Sequence, residues 1–343
     1  MNSTSLFPYF PNSWFSVACS NELPPNGVMP LHYFDKNFVL FRTSDGIPHV
    51  LDAYCPHLGA HLGYGGKVER NAIRCPFHAL LWDETGHCIG APKMIEVLPK
   101  AQIRNWPVRE VNGLIFMYYH LQRELTQWEI PELPEYTSKE WTPLRQIRHW
   151  KLRTNIHEYS ENTYDLDHFS VVHDKAFSEF KSDALEVEGS FLTHKLSTKL
   201  TPSLLTWILG KDTKVCIKST RYGPGFESFY FSAKGRFEVN GMFVWSITPI
   251  DKEYLDIRLF ISIKKLFNKP VTSILSAFLG SDGIKTQEED FPILENKIYC
   301  NPYILGQSDE LIMEYRQWMR QFYSELQATT NGSPKDVRIE KKK

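Results

Sequence analysis

The sequence predicts an α+β protein of two domains: an all-β N-terminal domain, then a domain that combines long strands with helices. Three observations predict it. A length of 343 residues suggests about two domains, each able to bury its own core. Residues 1–122 read as short strands, rich in β-branched and aromatic residues and broken by glycine turns. Residues 137–325 carry longer alternating strands together with helical stretches.

In chain order, Phe38–Arg42, His49–Tyr54, Ala72–Cys75 and Leu114–Tyr119 are the clearest N-terminal strands. Ser44-Asp45-Gly46, Gly63-Tyr64-Gly65-Gly66 and Asn112-Gly113 punctuate them. Residues 123–136, with prolines at 131 and 134, read as a linker. Beyond it, Asn155–Val172 reads as helix and Phe226–Arg236, Gly241–Pro249 and Tyr254–Ile263 as strands; the C-terminal part is largely helical. Residues 326–343, polar and basic at the end, read as a disordered tail.

Composition narrows the function. Hydrophobic content of 42% with 14% aromatics describes a ring-rich globular protein that can line a large apolar pocket. The balance of 39 basic against 40 acidic residues leaves no field of one sign, which argues against nucleic acid or an anionic membrane as partner. The N-terminus lacks the basic start and apolar run of a signal peptide. Leu204–Leu209 and Ile274–Leu279 are too short to span a bilayer, so no transmembrane segment is expected. Cys19, Cys88, Cys216 and Cys300 show no paired spacing, so a reducing, cytoplasmic setting is expected.

Two residue pairs with seventeen residues between them carry the most specific chemistry: Cys55-Pro-His57 and Cys75-Pro-Phe-His78. Two thiolates and two imidazoles in this order suit a Rieske [2Fe–2S] centre, in which one iron takes both sulfurs and the other both ring nitrogens. Zinc fingers usually place a Cys pair in one arm and a His pair in the other, so the mixed order argues against structural zinc. Both pairs fall in loops after strands, where Gly59, Gly63, Gly65 and Gly66 let backbone N–H groups approach the bridging sulfides. Four unrelated core or loop residues would not explain spacing, order and glycines together.

The stretch Glu161-Asn-Thr-Tyr-Asp165-Leu-Asp-His168-Phe-Ser-Val-Val-His173 is the second informative feature. Two imidazoles and one carboxylate on one face hold a mononuclear non-haem Fe(II) and leave its other positions open. His168 and His173 are the imidazole pair. Asp165 and His168 are neighbours on a helix, so Asp165 can accept the other ring N–H of His168. A step of five residues turns a helix by about 140°. The helix is therefore expected to end or distort near Phe169–Val171, bringing His173 back toward the metal. For the third ligand, Glu288, Glu289 and Asp290 offer adjacent carboxylates about 100° apart. Periodicity does not choose among them, although Asp290 opens the more apolar Asp290-Phe-Pro-Ile-Leu.

Together these segments resemble the oxygenase component of Rieske non-haem iron enzymes. CPHLGAHLGYGG, CPFH, ENTYDLDHFSVVH and EEDFPILENKIY carry the resemblance over almost the whole chain. The last is similar to the Asp-x-Pro-Ile-x-x-x-Lys pattern of ketosteroid 9α-hydroxylase oxygenases and Neverland-type cholesterol 7-desaturases. That similarity puts the third ligand at Asp290. The opening FPYFPNSWFSVACSNELPPNG resembles the same branch. The resemblance implies a Rieske β-domain joined to a helix-grip (START/SRPBCC-like) catalytic domain, whose antiparallel sheet wraps a long C-terminal helix. It also implies a head-to-tail homotrimer in which Asp165 bridges His168 and the neighbouring subunit's His78, carrying electrons between the centres. The sequence departs from the family twice. Ala79-Leu80 stands where Gly-Trp is common, and the N-terminal membrane segment of the animal enzymes is missing, so close orthology with them is not expected.

No Gly-x-Gly-x-x-Gly follows a strand and no flavin domain is legible, so electrons are expected from a separate flavin NAD(P)H reductase, directly or through a ferredoxin. The activity implied is that of a terminal oxygenase. It would use O2 to hydroxylate a C–H bond of a bulky apolar molecule, steroid- or sterol-like or another polycyclic natural product. Desaturation, oxidative cyclisation, demethylation and N-oxidation use the same iron chemistry. A plain Rieske electron carrier would be complete near residue 120 and leaves the second half unexplained. The ring-rich strands from Phe226 to Trp245 can be cavity wall or plain core, and core is the commoner outcome.

Overall fold

The computed structural model describes residues 10–90, 101–173, 177–201, 206, 209–210, 213–266, 268–298, 304, 306 and 309–323. The tail expected at 326–343, Cys300 and most of the apolar stretch 204–209 lie outside the described residues. The chain divides into two compact units. One is Ser13–Glu132 with Thr248–Lys252; the other is the rest of the described chain. The boundary at 132/133 falls inside the segment read as a linker.

The first unit is built from three small antiparallel sheets. Ser13–Cys19, Leu114–Tyr119 and Val108–Val111 form one, and Val28–Tyr33, Lys36–Arg42, Pro48–Asp52 and Asn105–Trp106 the second. The third contains Lys67–Glu69, Ala72–Arg74, Leu81–Asp83 and Cys88–Gly90. Leu114–Tyr119 is buried along its whole length, as its unbroken apolar run requires. Phe34 and Asp35 turn the second sheet's first hairpin, both at φ 56°. Their backbone N–H groups donate to the carbonyls of Pro249 and Ile250 at 3.0 and 3.1 Å. The unit is thus closed by a segment more than a hundred residues downstream, which no local pattern announces.

The second unit centres on an eight-stranded antiparallel sheet. Its order is Arg145–Arg153, Tyr254–Ile263, Glu238–Pro249, Phe226–Lys234, Lys214–Tyr222, Phe191–Leu200 and Phe177–Ser182, with Glu186–Glu188 also pairing Phe191–Leu200. Lys214–Tyr222 alternates regularly, sending Val215, Ile217, Ser219 and Arg221 inward. The 26-residue helix Lys269–Leu294 is capped by Asn268, whose side chain accepts from the Val271 N–H. It packs on the sheet, and at Gly283 a Cβ would fall 2.8 Å from the Phe243 ring, so any larger residue there would have to push that ring aside. This is the sheet-and-helix arrangement that the resemblance implies.

Asn155–Val172 is not one helix. Ile156–Glu161 is α-helical, Asn162–Tyr164 forms a 3₁₀ turn, and a new helix runs Leu166–Val172. The break lies at Asp165 (φ −84°, ψ 92°) rather than at the expected Phe169–Val171. An N-cap explains it: the Asp165 carboxylate accepts from the His168 N–H at 3.3 Å, and a capping residue leaves helical geometry. His168 then sits in the first turn and His173 just past the last, at φ −111°. Among the described residues, no helix is long and apolar enough to cross a membrane.

Candidate metal centres

The two cysteine–histidine loops share one hydrogen-bond frame. In the first, the Cys55 N–H donates to the Ala60 carbonyl at 2.9 Å and the Gly59 N–H to the Cys55 carbonyl at 2.9 Å. In the second, Cys75 donates to Leu80 at 2.8 Å and Ala79 to Cys75 at 3.1 Å. Gly59 (φ 74°) and Ala79 (φ 57°) therefore occupy equivalent left-handed positions, a conformation that suits glycine and strains alanine. Within this frame the imidazole is offset by one residue: first His57 then Leu58, in the other loop Phe77 then His78. The offset brings both rings to one place, with centroids 4.6 Å apart.

Cys55 and Cys75 are both buried, in a core they share with Ile73, Leu80 and Trp82. Leu80, at the family's Trp position, thus fills core beneath the loops. Burial pushes the Cys55 thiol up and the neighbouring Cys75 adds to this, while the His57 backbone N–H opposes it. The Trp82 indole N–H nearby is buried and finds no hydrogen-bond partner. Two buried sulfurs, an orphaned donor beside one of them and two converging imidazoles fit a [2Fe–2S] group ligated by Cys55, Cys75, His57 and His78. Around the imidazoles, Leu58 and Phe77 are exposed.

In the second unit, one ligand atom each of His168, His173 and Asp290 lie within 4.8 Å of one another. Asp290 Oδ1 is 3.1 Å from His173 Nε2 and 3.7 Å from His168 Nε2. His173 and Asp290 are buried. The outer ring nitrogens fix which atoms face inward. His173 Nδ1 pairs with Glu289 Oε2 at 3.0 Å, and His168 Nδ1 bonds the backbone carbonyl of Asp165. Each pairing turns Nε2 inward, where His173 Nε2 meets Asp290 and His168 Nε2 also lies 3.3 Å from the Asn162 amide nitrogen. Asp165 therefore meets the His168 ring through its main chain and spends its carboxylate on the cap; sequence reasoning expected the carboxylate on the ring. Burial holds the His168 pKa below its ordinary value. Burial also acts to lower His173, but hydrogen bonds to Asp290 and Glu289 outweigh it and raise the pKa.

The three adjacent acids part company, as residues about 100° apart on a helix must. Glu288 points to Trp150 Nε1 (2.9 Å) and Arg148 (3.2 Å), Glu289 supports His173, and Asp290 turns to both imidazoles. Two histidines and one buried carboxylate, with outer nitrogens occupied, fit the donor set of a mononuclear Fe(II).

His168, His173 and Asp290 border a cavity of about 210 Å³. Its apolar walls include Val215, Ile217, Phe231, Val239, Phe243 and Leu279, so rings between Phe226 and Trp245 do line it. Sequence reasoning missed its polar members. Arg221 and Glu227, cross-strand partners, form a buried ion pair, with Glu227 on the cavity wall. Burial alone would lower the Arg221 pKa, but Glu227 raises it above its ordinary value. A signal existed: alternation along Lys214–Tyr222 places Arg221 on the same face as Val215 and Ile217. Gln287, one turn before Asp290, carried none.

Residues 13–107 match the Rieske [2Fe-2S] domain family, and residues 117–323 the 3-ketosteroid 9alpha-hydroxylase C-terminal domain family. Among curated relatives, cholesterol 7-desaturase nvd 1 of Ciona intestinalis is 30% identical over 344 residues, covering 93% of this chain and 70% of that one. The cholesterol 7-desaturase nvd of Xenopus laevis is 30% identical over 350 residues, covering 95% and 73%. The oxygenase component of 3-ketosteroid-9-alpha-monooxygenase of Rhodococcus rhodochrous is 27% identical over 334 residues, covering 94% and 85%. Among solved structures, dicamba monooxygenase bound to dicamba aligns with a TM-score of 0.75 at 18% identity, covering 95% of this chain and all of that one. At that identity the likeness speaks for the fold alone.

Proposed function

This chain belongs to the Rieske oxygenases whose C-terminal part is the 3-ketosteroid 9alpha-hydroxylase domain, and on that premise we propose that it is a terminal oxygenase that hydroxylates a C–H bond of a bulky apolar molecule. The substrate on this reading is steroid- or sterol-like, or another polycyclic compound. The observation that carries it is the apolar cavity bordered by His168, His173 and Asp290. When bound, the [2Fe–2S] group supplies single electrons and the mononuclear iron supplies the oxidising power for C–H cleavage. Cys55, His57, Cys75 and His78 hold the first; His168, His173 and Asp290 hold the second.

The chain's residues do the rest. The Asp165 carbonyl and the Glu289 carboxylate hold the imidazoles in one tautomer. The walls around Phe231 and Phe243 exclude water and fix the reacting carbon near the metal position. Electrons come from a separate protein, a flavin NAD(P)H reductase or its ferredoxin. On this reading the protein works in the cytoplasm as a homotrimer, with Asp165 the relay toward His78 of the neighbouring subunit.

A second reading, desaturation, is favoured by the similarity to cholesterol 7-desaturases. One experiment separates the two. The reduced holoprotein is offered steroids, sterols and smaller polycycles, and oxygen uptake and product mass are scored. A gain of one oxygen atom fits hydroxylation; a loss of two hydrogens moves the assignment to desaturation. No substrate-dependent uptake from protein carrying both metal centres would sink the oxygenase assignment, and two irons per chain instead of three would fit a carrier.

A further inference from the structure

The Gln287 amide is held in one orientation by two donors. Trp245 Nε1–H and the Tyr159 hydroxyl both donate to Gln287 Oε1 at 3.1 Å. An indole nitrogen only donates, so the atom it faces must be the amide oxygen. Two donors use both lone pairs of that oxygen, and Gln287 can accept nothing more. Its NH2 has no hydrogen-bond partner among the described residues and is not among the sealed-off polar atoms. Gln287 lines the cavity. It lies three residues before Asp290, on the same helix face, with Cβ atoms about 5–6 Å apart at that spacing.

We propose that Gln287 is the specificity-determining donor of this cavity, and that it selects an apolar polycyclic substrate bearing a ketone or hydroxyl oxygen close to the carbon that is oxidised. This rests on the oxygenase reading above. The arrangement discriminates by what it cannot do: with its oxygen saturated, the amide rewards an acceptor and offers nothing to a group that only donates. Val215, Phe231, Val239 and Leu279 give the cavity an apolar wall, while Asn162, Thr163, Glu227, Asp282 and Thr286 also border it; an oxygen held by the Gln287 NH2, three residues from Asp290, sets which end of the molecule approaches the metal position. A plain hydrocarbon fits the same walls but leaves the NH2 desolvated and unpaired, which weakens its binding. Gln287 acts by orienting the substrate, away from the proton and electron steps.

Binding without turnover tests this. The oxidised holoprotein is titrated calorimetrically with decalin, 2-decalone and 2-decalol. Wild type is expected to bind the ketone and the alcohol roughly tenfold more tightly than the hydrocarbon, the scale of one hydrogen bond. Gln287→Glu keeps an oxygen for Trp245 and Tyr159 but presents an acceptor to the cavity. It should lose the ketone preference, keep decalin affinity and retain the alcohol, which can donate. Gln287→Asn, which withdraws the amide by one methylene without adding charge, should also lose the ketone preference. A ketone preference unchanged in both variants overturns the proposal, as does equal binding of ketone and hydrocarbon by wild type. Failure of every probe to bind wild type would sink the apolar-substrate reading itself, and this proposal with it; that outcome is distinct from the other two. A preference shared by ketone and alcohol points to either oxygen, whereas one confined to the ketone narrows the class to carbonyl compounds.

Discussion

The two candidate centres invert each other's design. In the N-terminal unit the sulfurs are buried, while the imidazole edge reaches the surface beside exposed Leu58 and Phe77. In the C-terminal unit the histidine and carboxylate ligands are themselves buried or nearly so, at the border of an apolar cavity. An electron can arrive through a surface imidazole from a protein that never enters the fold. A C–H bond has to be brought in and kept dry. Placing the polar ligands outward in one case and inward in the other follows from that difference in cargo.

The sharpest way to break the comparison is to remove one centre and ask whether the other survives. Asp290→Ala should lose the mononuclear iron and all oxidation, yet keep the cluster's visible absorption, with iron falling from three to two per chain. Cys75→Ser should do the reverse, abolishing the cluster spectrum while the second unit still takes up one iron. Coupled loss of both metals in either variant would show that the centres do not assemble independently.

Next in size is the relay. Asp165→Asn keeps an N-cap acceptor and the backbone carbonyl that orients His168, so both metals should load while electron transfer to the second iron stops; single-turnover oxidation of the reduced cluster reads this directly. Asp165→Ala should block transfer too and cost about 1 kcal/mol more through the lost cap. Normal turnover in the Asn variant would remove Asp165 from the electron path. A smaller effect is expected from Glu289→Gln, which weakens the carboxylate behind His173. Iron affinity should fall about 10- to 100-fold, measured by competition with a chelator, with the cluster unaffected. The smallest concerns the loops. Ala79→Gly relieves an alanine at φ 57° and should stabilise the N-terminal unit by about 1 kcal/mol, seen as a later loss of cluster absorbance in urea.

How much was legible depended on sequence distance. Cys55, His57, Cys75 and His78 sit in two short loops of one hairpin frame, so their spacing carries their geometry. His168 and His173 were legible as a pair, and the end of their helix was placed one residue before Val172; the break at Asp165, ahead of both, was not expected. Asp165 was read as a ring partner for His168, not as an N-cap. Asp290 was separable from Glu288 and Glu289 only by resemblance, because three consecutive acids differ in direction and direction depends on what the helix packs against. Glu289 and Gln287 acquire their parts from His173, Trp245 and Tyr159, all more than forty residues away in sequence, and no local pattern encodes such meetings. Arg221 is the exception. Its place on the inward face of a regular alternation was readable, and a charged residue there signals a buried partner.

The loop Thr248–Lys252 bears on heredity as much as on folding. It is encoded within the C-terminal half of the sequence, starting at the end of strand Glu238–Pro249, yet it belongs to the N-terminal unit and supplies the carbonyls that Phe34 and Asp35 use. A fragment ending at residue 132 would therefore lack the two carbonyls that these N–H groups bond. A chimera that exchanges C-terminal halves would replace that strap without anyone choosing to. The N-terminal unit can be shuffled, in evolution or in the laboratory, only together with five residues that lie far from it in sequence.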